Sequence, residues 1–398
     1  MPSLSATAAA IRPGVFAELQ RYIDAYAARV GDLIPLHIGD TYLDPPAAAK
    51  FGNLLEGDGS EEALYRYGPT SGLAPLRDAL ENHLRAQGRA FPGVEGQRHI
   101  LVAAGATHAL SCAARVILQP GDDVILSAPY WPLAHGIVQS VGARAIDVPF
   151  TTRLFENPSL DAGEILREGL TPATRALYLT TPNNPDGKVL TRDHLMRVAA
   201  LACEKDLWVL ADEVYADFSF GPPHVSIAAL PGMKERSITA YSFSKSHALA
   251  GARIGFAVGP EDVVTSARRV STHSVFNVPV LTQRSALAAL ASGPRWIDQA
   301  RDTYLSARDA AVEALAGSGI RFFVPEGGAY LFLDFSEILE ARSLTLLLGR
   351  AIERGVLLAP GEAFGQSFEK WARLCFTAVP LPRLVEGVAR LRNAVDGF

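Results

Sequence analysis

Short apolar runs alternate with helical patterns along most of the chain, and this alternation predicts an α/β fold. Six runs have the length and the aliphatic or β-branched content of buried strands: HILVAAG, DVILSAP, RALYLTTPNNPDG, LWVLADEVY, SITAYSFSK and RIGFAVG. The segments between them are long enough for crossover helices, such as ATHALSCAARVIL after the first run. We therefore predict a large domain with a buried, mostly parallel sheet sandwiched by helices.

The C-terminal part of the chain has a different pattern. A long amphipathic helix is predicted over 297–315 and a second helix near 344–354. Three short apolar segments accompany these helices: FVPEGGAYLFLDF, VLLAPGEAFG and RLCFTAV. This pattern predicts a smaller α+β domain. From typical domain sizes we expect the large domain to cover 46–292, and 1–45 to join 293–398 in the small one.

Composition narrows the class of protein without identifying it. The 398 residues carry a formal net charge of −5 and 20% of them are charged, which is ordinary for a soluble globular protein. The mild negative charge argues against nucleic acid or an anionic membrane as the main partner. Because no apolar run could span a membrane and the N-terminus lacks a secretory pattern, we expect a cytoplasmic protein without membrane contact.

The cysteines and histidines show no metal-binding spacing, so we predict no metal site. Cys112, Cys203 and Cys375 lie far apart in largely apolar contexts. We expect all three to be buried, reduced thiols.

Polar residues follow several of the predicted strands at the point where each strand ends. They are Gly105, Ala106 and Thr107 after HILVAA, Asn184 after ALYL, Asp212 and Tyr215 after LWVLA, and Ser242, Ser244 and Lys245 after SITAY. The intervals from Asn184 to Asp212 and from Asp212 to Lys245 each match about one βαβ unit. Because ligands of open α/β sheets bind beyond the carboxyl ends of the strands, we expect these groups to line one site.

The chemistry of this set suits a phosphorylated aldehyde cofactor. Lys245 is an amine nucleophile if its surroundings lower its pKa. Asp212 ends an apolar strand, where a carboxylate needs a cationic partner. The Gly105-Ala106-Thr107 segment opens a helix that can bind an anion, and Arg253 and the serines add phosphate donors. A reactive lysine, a carboxylate and a phosphate cradle together indicate pyridoxal phosphate.

Seven segments, in family order, then make the chain resemble the class I/II aminotransferases, which are fold type I pyridoxal-phosphate enzymes. They are YRYGPTSGLAPLRDAL, PYWPLAHGIV, TPNNPDG, ADEVYADF, SFSKSHALAGARIGF, APGEAFG and RLCFTA. In TPNNPDG, Asp186 stands where the family usually has threonine. Because Asp can form the same local bonds to the backbone, we interpret it as structural.

The resemblance implies a role for each residue around the cofactor ring. Lys245 would form a Schiff base with the cofactor and, once released by substrate, would move the proton. Asp212 would keep the pyridine nitrogen protonated. Asn184 and Tyr215 would hydrogen-bond the ring oxygen O3′, and Trp131 would stack on the ring. Asn184 and Trp131 would also border the substrate.

Other matched positions imply contacts with phosphate and substrate. The phosphate would be bound by Gly105, Ala106, Thr107, Ser242, Arg253 and, as an additional hydroxyl, Ser244. Tyr67 would reach the cofactor phosphate of the partner subunit in a homodimer with shared active sites. Arg373 would bind the substrate α-carboxylate in a bidentate pair. Gly39 would let the backbone approach that carboxylate.

The function that the resemblance implies is ping-pong transfer of an amino group between an L-amino acid and a 2-oxo acid. A lyase that catalyses β-elimination would use the same lysine and ring, so it stays open as an alternative. A pyridoxal-phosphate-sensing regulator is a further alternative, although the matched region begins near Leu36 and leaves little room for a DNA-binding domain. Substrate identity is not derivable from these motifs. We expect the side-chain pocket near Asp40, Thr41, Tyr42, Trp131 and 273–277.

Overall fold

The computed structural model describes residues 2–3, 5–11, 19–29, 31–55, 61–89 and 97–398. The strands are β1 Ile34–Pro35, β2 Ile100–Ala103, β3 Asp123–Ala128, β4 Arg144–Pro149, β5 Thr174–Thr180, β6 Trp208–Asp212, β7 Ser237–Ser242, β8 Gly255–Val258, β9 Arg321–Phe322, β10 Tyr330–Asp334, β11 Val356–Leu357, β12 Ala359–Pro360 and β13 Trp371–Cys375. The α-helices are α1 Ala6–Ala10, α2 Gln20–Arg29, α3 Phe51–Leu55, α4 Ala74–Ala86, α5 Ala106–Ile117, α6 Pro132–Ser140, α7 Thr151–Glu156, α8 Ala162–Arg167, α9 Arg192–Glu204, α10 Phe243–Ser246, α11 Glu261–Ser274, α12 Val280–Ala291, α13 Arg295–Leu315, α14 Ser336–Leu339, α15 Leu344–Glu353 and α16 Leu381–Val395.

A seven-stranded sheet forms the centre of the large α/β region, in the order β2-β8-β7-β6-β5-β3-β4. Strand β8 runs antiparallel to both neighbours, and the other adjacent pairs are parallel. Side chains that alternate along the strands pack against α5, α6 and α11 on one face and against α8 and α9 on the other. The predicted mostly parallel sheet between helices is confirmed, and each of the six apolar runs contains one of its strands.

Strand β4 is part of the sheet although its sequence does not stand out as an apolar run. It forms the edge beside β3, and most of its side chains are only half-buried. Its position at the edge of the sheet lets the sequence RAIDVP carry Arg144 and Asp147 with partial exposure to solvent.

A second, antiparallel sheet has the order β12-β13-β10-β9 and packs with α13, α15 and α16. The predicted helices near 297–315 and 344–354 correspond to α13 and α15. Strand β1 pairs in parallel with β11, and Ile34 and Leu36 are buried in the same core as the C-terminal helices. The N-terminal segment thus packs with the C-terminal part. The boundaries at 46 and 292 stay a prediction.

Two of the three cysteines are buried as predicted, and the prediction for the third is wrong. Cys112 and Cys375 are buried, whereas Cys203 is exposed. Cys203 lies in the last turn of α9, where the chain from Cys203 to Asp206 faces solvent. Among the described residues, no helix has the length and apolar character needed to cross a membrane.

Candidate active site

A cavity of about 210 Å³ lies at the carboxyl ends of β5, β6 and β7, where the large sheet meets the C-terminal region. Its lining residues are Gly39, Ala106, Thr107, Trp131, Thr180, Asn184, Asp212, Val214, Tyr215, Ser242, Ser244, Lys245, Ala250, Arg253, Tyr330 and Arg373. Twelve of the predicted site residues line it, and Gly105 and Tyr67 do not. Most of the residues that the strand spacing predicted to lie close together therefore line one cavity.

Lys245 projects from a short helix that begins where β7 ends. The Ser242 side chain caps that helix by accepting a hydrogen bond from the backbone N–H of Ser244 at 3.1 Å. The Lys245 amine donates a hydrogen bond to the backbone carbonyl of Gly39. Burial is the largest cause that lowers the pKa of this amine. A neutral amine is the form that can act as a nucleophile or accept a proton.

Asp212 is the last residue of β6 and is buried. Its carboxylate accepts a hydrogen bond from the Tyr178 hydroxyl at 3.0 Å and one from the Val214 N–H at 3.3 Å. Burial raises its pKa to about 6 in spite of these hydrogen bonds and of the nearby Lys245. A cationic group placed in the cavity would stabilise the ionised carboxylate.

The N-terminus of α5 is open for an anion. Gly105 is its N-cap residue, has φ of +85°, and makes no side-chain capping bond. A Cβ added to Gly105 would lie 2.6 Å from Nη2 of Arg253. At Gly255 a Cβ would lie 2.8 Å from the Ala106 nitrogen. Both glycines thus allow the helix end, the β8 backbone and the guanidinium to approach one another.

Arg253 lines the cavity near the N-terminus of α5 and is exposed. Its backbone adopts the left-handed region at φ of +50°, and one guanidinium nitrogen donates to the Ala250 carbonyl at 3.1 Å. Ser242, Ser244 and Thr107 bring hydroxyl groups to the same cavity. This donor set, with the open helix end, has the chemistry that binds a phosphate.

Arg373 lies at the opposite side of the cavity, in β13, and is 7% exposed. Its guanidinium donates to the Asn184 side chain at 2.9 Å and to the His37 carbonyl at 2.6 Å. No carboxylate of the described chain pairs with it, and its Nε has no hydrogen-bond partner there. A buried guanidinium without a carboxylate partner is well suited to bind a ligand carboxylate.

Two tyrosines that the sequence analysis did not assign complete the cavity region. The Tyr330 hydroxyl is hydrogen-bonded to that of Tyr215, and Tyr178 binds Asp212. Both belong to apolar strands, where an aromatic residue is normally expected to be part of the hydrophobic core. Their contacts depend on partners distant in the chain, so no local signal pointed to them.

Tyr67 is 86% exposed and lies outside the cavity, where its ring packs edge-on against Phe276. Its predicted contact with a partner subunit stays a prediction. Asp186 is buried and bonds Asn183, Thr151 and the Lys188 N–H, which fits its interpretation as a structural residue. Asp40 and Thr41 line a small adjoining cavity beside Lys245.

The chain matches the family model for aminotransferase class I and II over residues 31–391. This chain belongs to the class I and II aminotransferases. The aminotransferase prediction is therefore confirmed over the lyase alternative. Members of the family use pyridoxal phosphate, and the fold type I prediction is confirmed by solved relatives.

Named relatives of this aminotransferase differ in substrate. An arginine–pyruvate transaminase of Pseudomonas aeruginosa is 34% identical over 91% of this chain and 88% of its own length. An aspartate aminotransferase of Musicola paradisiaca is 33% identical over 85% of this chain and 84% of its own. The structure of Thermus thermophilus aspartate aminotransferase with maleate matches with a TM-score of 0.88 and 27% identity, covering 99% of this chain and all of that one. An aromatic aminotransferase from Pyrococcus horikoshii has a TM-score of 0.84 at 27% identity, over 94% of this chain and 98% of that one.

Proposed function

We propose that the cavity binds pyridoxal phosphate through Lys245 and that this aminotransferase works by a ping-pong mechanism. The observation that carries the proposal is that a half-buried lysine, a buried aspartate and an open helix N-terminus converge on one cavity of about 210 Å³. The fit is chemical as well as spatial, since each group lacks a partner that the cofactor would supply. Asp212 would gain a pyridinium, and the α5 N-terminus and Arg253 would gain a phosphate.

The remaining cavity residues would orient the cofactor. Trp131 would lie against the ring face, and Asn184 and Tyr215 would direct their polar atoms to the ring oxygen. Ala106, Thr107, Ser242 and Ser244 would bind the phosphate together with Arg253, and Gly105 leaves room for that guanidinium beside the helix end. These roles follow from the matched motifs and from the lining of one cavity.

Bound in this cavity, pyridoxal phosphate supplies an electron-withdrawing ring that stabilises negative charge on the substrate Cα. Arg373 would bind the substrate α-carboxylate and so orient the Cα–H bond toward Lys245. The lowered pKa of the Lys245 amine suits it to take that proton as a general base. The amino group would remain in the site while the first 2-oxo acid leaves, and a second 2-oxo acid would then receive it.

We also propose a homodimer in which Tyr67 reaches the phosphate in the site of the other subunit. Tyr67 is 86% exposed and Phe276, on which its ring packs, is 46% exposed. Two exposed aromatic rings in contact are typical of a surface that another protein covers.

An assay with a panel of amino donors and 2-oxo acid acceptors would identify the substrates. The relatives are named for arginine, aspartate and aromatic amino acids, so these three classes of donor define the panel, with pyruvate and 2-oxoglutarate as acceptors. Of the described side chains that line the cavity, the cationic ones are Lys245, Arg253 and Arg373.

Reduction of the loaded protein with borohydride tests the proposed attachment. Peptide mapping by mass spectrometry should place the reduced cofactor on Lys245, and Lys245→Ala should abolish the label. Lys188→Arg is a matched control, because Lys188 is a buried lysine that is already paired with Glu326 at 2.9 Å. A label on Lys188, or none on any lysine, would overturn the assignment.

A further inference from the structure

Tyr330 occupies a junction between the two halves of the candidate site. It is the first residue of β10, is 1% exposed, and pairs in register with Cys375 of β13. Its hydroxyl is hydrogen-bonded to that of Tyr215, and its ring centroid lies 4.2 Å from Cζ of Arg373. A Cβ on Gly39 would overlap the same hydroxyl. It lies in the apolar segment FVPEGGAYLFLDF, and none of the seven segments that resemble the family includes it.

We propose that Tyr330 is a positioning residue with two separable parts, a hydroxyl that orients the Tyr215 phenol and a ring that fixes the Arg373 guanidinium. The proposal rests on the proposed function, since Tyr215 is placed there at the cofactor ring and Arg373 at the substrate carboxylate. It extends that function by linking the two contacts through one side chain.

The hydroxyl decides which way the Tyr215 proton points. Two bonded phenols share one hydrogen bond, in which one donates and the other accepts. When Tyr330 donates to the Tyr215 oxygen, the Tyr215 proton is free to be donated into the cavity. Burial raises the pKa of Tyr215 far above its usual value and that of Tyr330 to about 12, so both phenols keep their protons at neutral pH.

The ring acts on the other side of the site. Cζ of Arg373 lies over the rings of Tyr330 and Phe364, at 4.2 Å and 4.9 Å from their centroids. The hydrogen bonds that its guanidinium donates to Asn184 and to the His37 carbonyl also help to fix its position. Stacking therefore replaces a carboxylate partner and leaves the guanidinium edge available for substrate.

The backbone at Gly39 also contacts Tyr330 closely, because Gly39 has no side chain. The Tyr330 hydroxyl occupies the place of a side chain at Gly39, while the Gly39 carbonyl accepts from Lys245. Glycine is therefore required here to make room for Tyr330. The predicted approach of this backbone to the substrate carboxylate is a separate matter and stays a prediction.

Tyr330→Phe tests the hydroxyl, because it keeps the ring. The measurement is the pH midpoint at which the visible absorption of the bound cofactor changes, together with kcat and KM. A proton donated by Tyr215 stabilises negative charge on its acceptor, so loss of its orientation should raise the midpoint by about half a pH unit or more and lower kcat roughly fivefold. The KM for the amino acid should change less than about twofold, because the ring still holds Arg373.

Tyr330→Leu tests the ring. In addition to the effects of Tyr330→Phe, it should raise the KM for the amino acid by roughly tenfold, because the ring no longer holds Arg373. The inhibition constant of propionate should rise by roughly the same factor, since propionate offers Arg373 a carboxylate without an amino group. Tyr26→Phe is the matched control, because it removes another buried tyrosine hydroxyl that donates to the Asp32 carbonyl at 3.1 Å. It should leave the midpoint, kcat and both constants unchanged. Circular dichroism and thermal melting establish that each variant folds.

The results for these variants test the hydroxyl and the ring of Tyr330 separately, and they can be distinguished from a failure of the proposed function. A Tyr330→Phe enzyme with wild-type midpoint and kcat overturns the role of the hydroxyl. A Tyr330→Leu enzyme whose KM and propionate constant match those of Tyr330→Phe overturns the role of the ring. If the wild-type protein itself acquires no visible absorption with pyridoxal phosphate, it is the proposed function that fails.

Discussion

Asp212 shows, at the scale of a single residue, how burial creates a need for a ligand. Its carboxylate ends a strand among apolar side chains, and the hydrogen bonds from Tyr178 and Val214 do not offset the loss of water. Its pKa of about 6 lies above the value near 3.9 of an exposed aspartate. The cofactor-free protein therefore carries a group that becomes costly once it ionises.

This cost predicts a pH dependence of stability for the cofactor-free protein. Because the folded chain binds the Asp212 proton more tightly than the unfolded chain, the stabilisation present below about pH 4 is lost as the pH rises through 6. From pH 5 to 7 the wild type should lose on the order of 1 kcal/mol of unfolding free energy relative to Asp212→Asn. Urea denaturation of both proteins at the two pH values measures the difference.

Asp123→Asn is the control for that comparison. Its hydrogen bonds from Arg144 lower the pKa of Asp123, so the stability that it contributes is lost only as the pH falls below about 4. The difference between this variant and the wild type should be constant from pH 5 to 7. Equal pH profiles for wild type and Asp212→Asn would contradict the account of Asp212.

The N-terminus of helix α5 can bind phosphate together with Arg253 only if Gly105 leaves room for the guanidinium. Gly105→Ala should raise the Kd for pyridoxal phosphate roughly tenfold, since the methyl group displaces the guanidinium by which the phosphate is held. Titration of the cofactor-free protein, followed by absorption or by quenching of tryptophan fluorescence, measures this Kd.

Gly317→Ala is the control that separates the steric clash with Arg253 in Gly105→Ala from the backbone strain of a positive φ. Gly317 has φ of +71°, close to the +85° of Gly105, but a Cβ there meets nothing within 4 Å. Both variants should be destabilised by about 1–3 kcal/mol through the positive φ, and Gly105→Ala by the larger amount, because its ψ of 166° places it in a region essentially confined to glycine. Only Gly105→Ala should lose affinity, and a similar loss in both variants would show that the phosphate site does not depend on the contact with Arg253.

Most elements of the large sheet could be predicted from sequence, because buried parallel strands appear as apolar runs. The clustering of polar residues at their ends in one cavity was predictable for the same reason, since the carboxyl ends of neighbouring parallel strands lie at one edge of the sheet. Strand β4 did not stand out, because an edge strand can carry Arg144 and Asp147. Tyr330 was also missed, since its partner Tyr215 lies 115 residues away.

The N-terminal segment connects the core formed by the C-terminal helices to the candidate site. Ile34 and Leu36 are buried against α15, α16 and β11, and the next residues supply the His37 and Gly39 carbonyls that hold Arg373 and Lys245. Packing far from the cavity therefore determines where two of its charged groups lie.

Gly387→Val should expose this dependence. A Cβ at Gly387 in α16 would lie 2.8 Å from a Leu36 methyl group and 3.3 Å from an Ile34 methyl group, so valine would push the segment outward. We expect a loss of about 1–3 kcal/mol in stability and an increased KM. Gly52→Val, at a helical glycine with nothing within 4 Å, should leave KM unchanged. An unaltered KM in Gly387→Val would disprove the link.

Sharing of sites between two subunits can be tested by mixing two variants that we expect to be inactive, Tyr67→Ala and Lys245→Ala. In a mixed dimer, one site would combine an intact Lys245 with an intact Tyr67 from the other chain. After co-refolding of equal amounts, activity should recover to about a quarter of the wild-type value, because half of the dimers are mixed and half of their sites are intact. No recovery in a mixture that forms dimers would show that Tyr67 does not serve the neighbouring site.

Under the proposed ping-pong mechanism, this protein stores the amino group in its own site between two half-reactions. We would measure the products when the loaded enzyme receives an amino acid from the panel and no 2-oxo acid. The account predicts one equivalent of the 2-oxo acid per subunit, no ammonia, and return of the original absorption when a second 2-oxo acid is added. Continuous release of ammonia with a 2-oxo acid beyond one equivalent would contradict it.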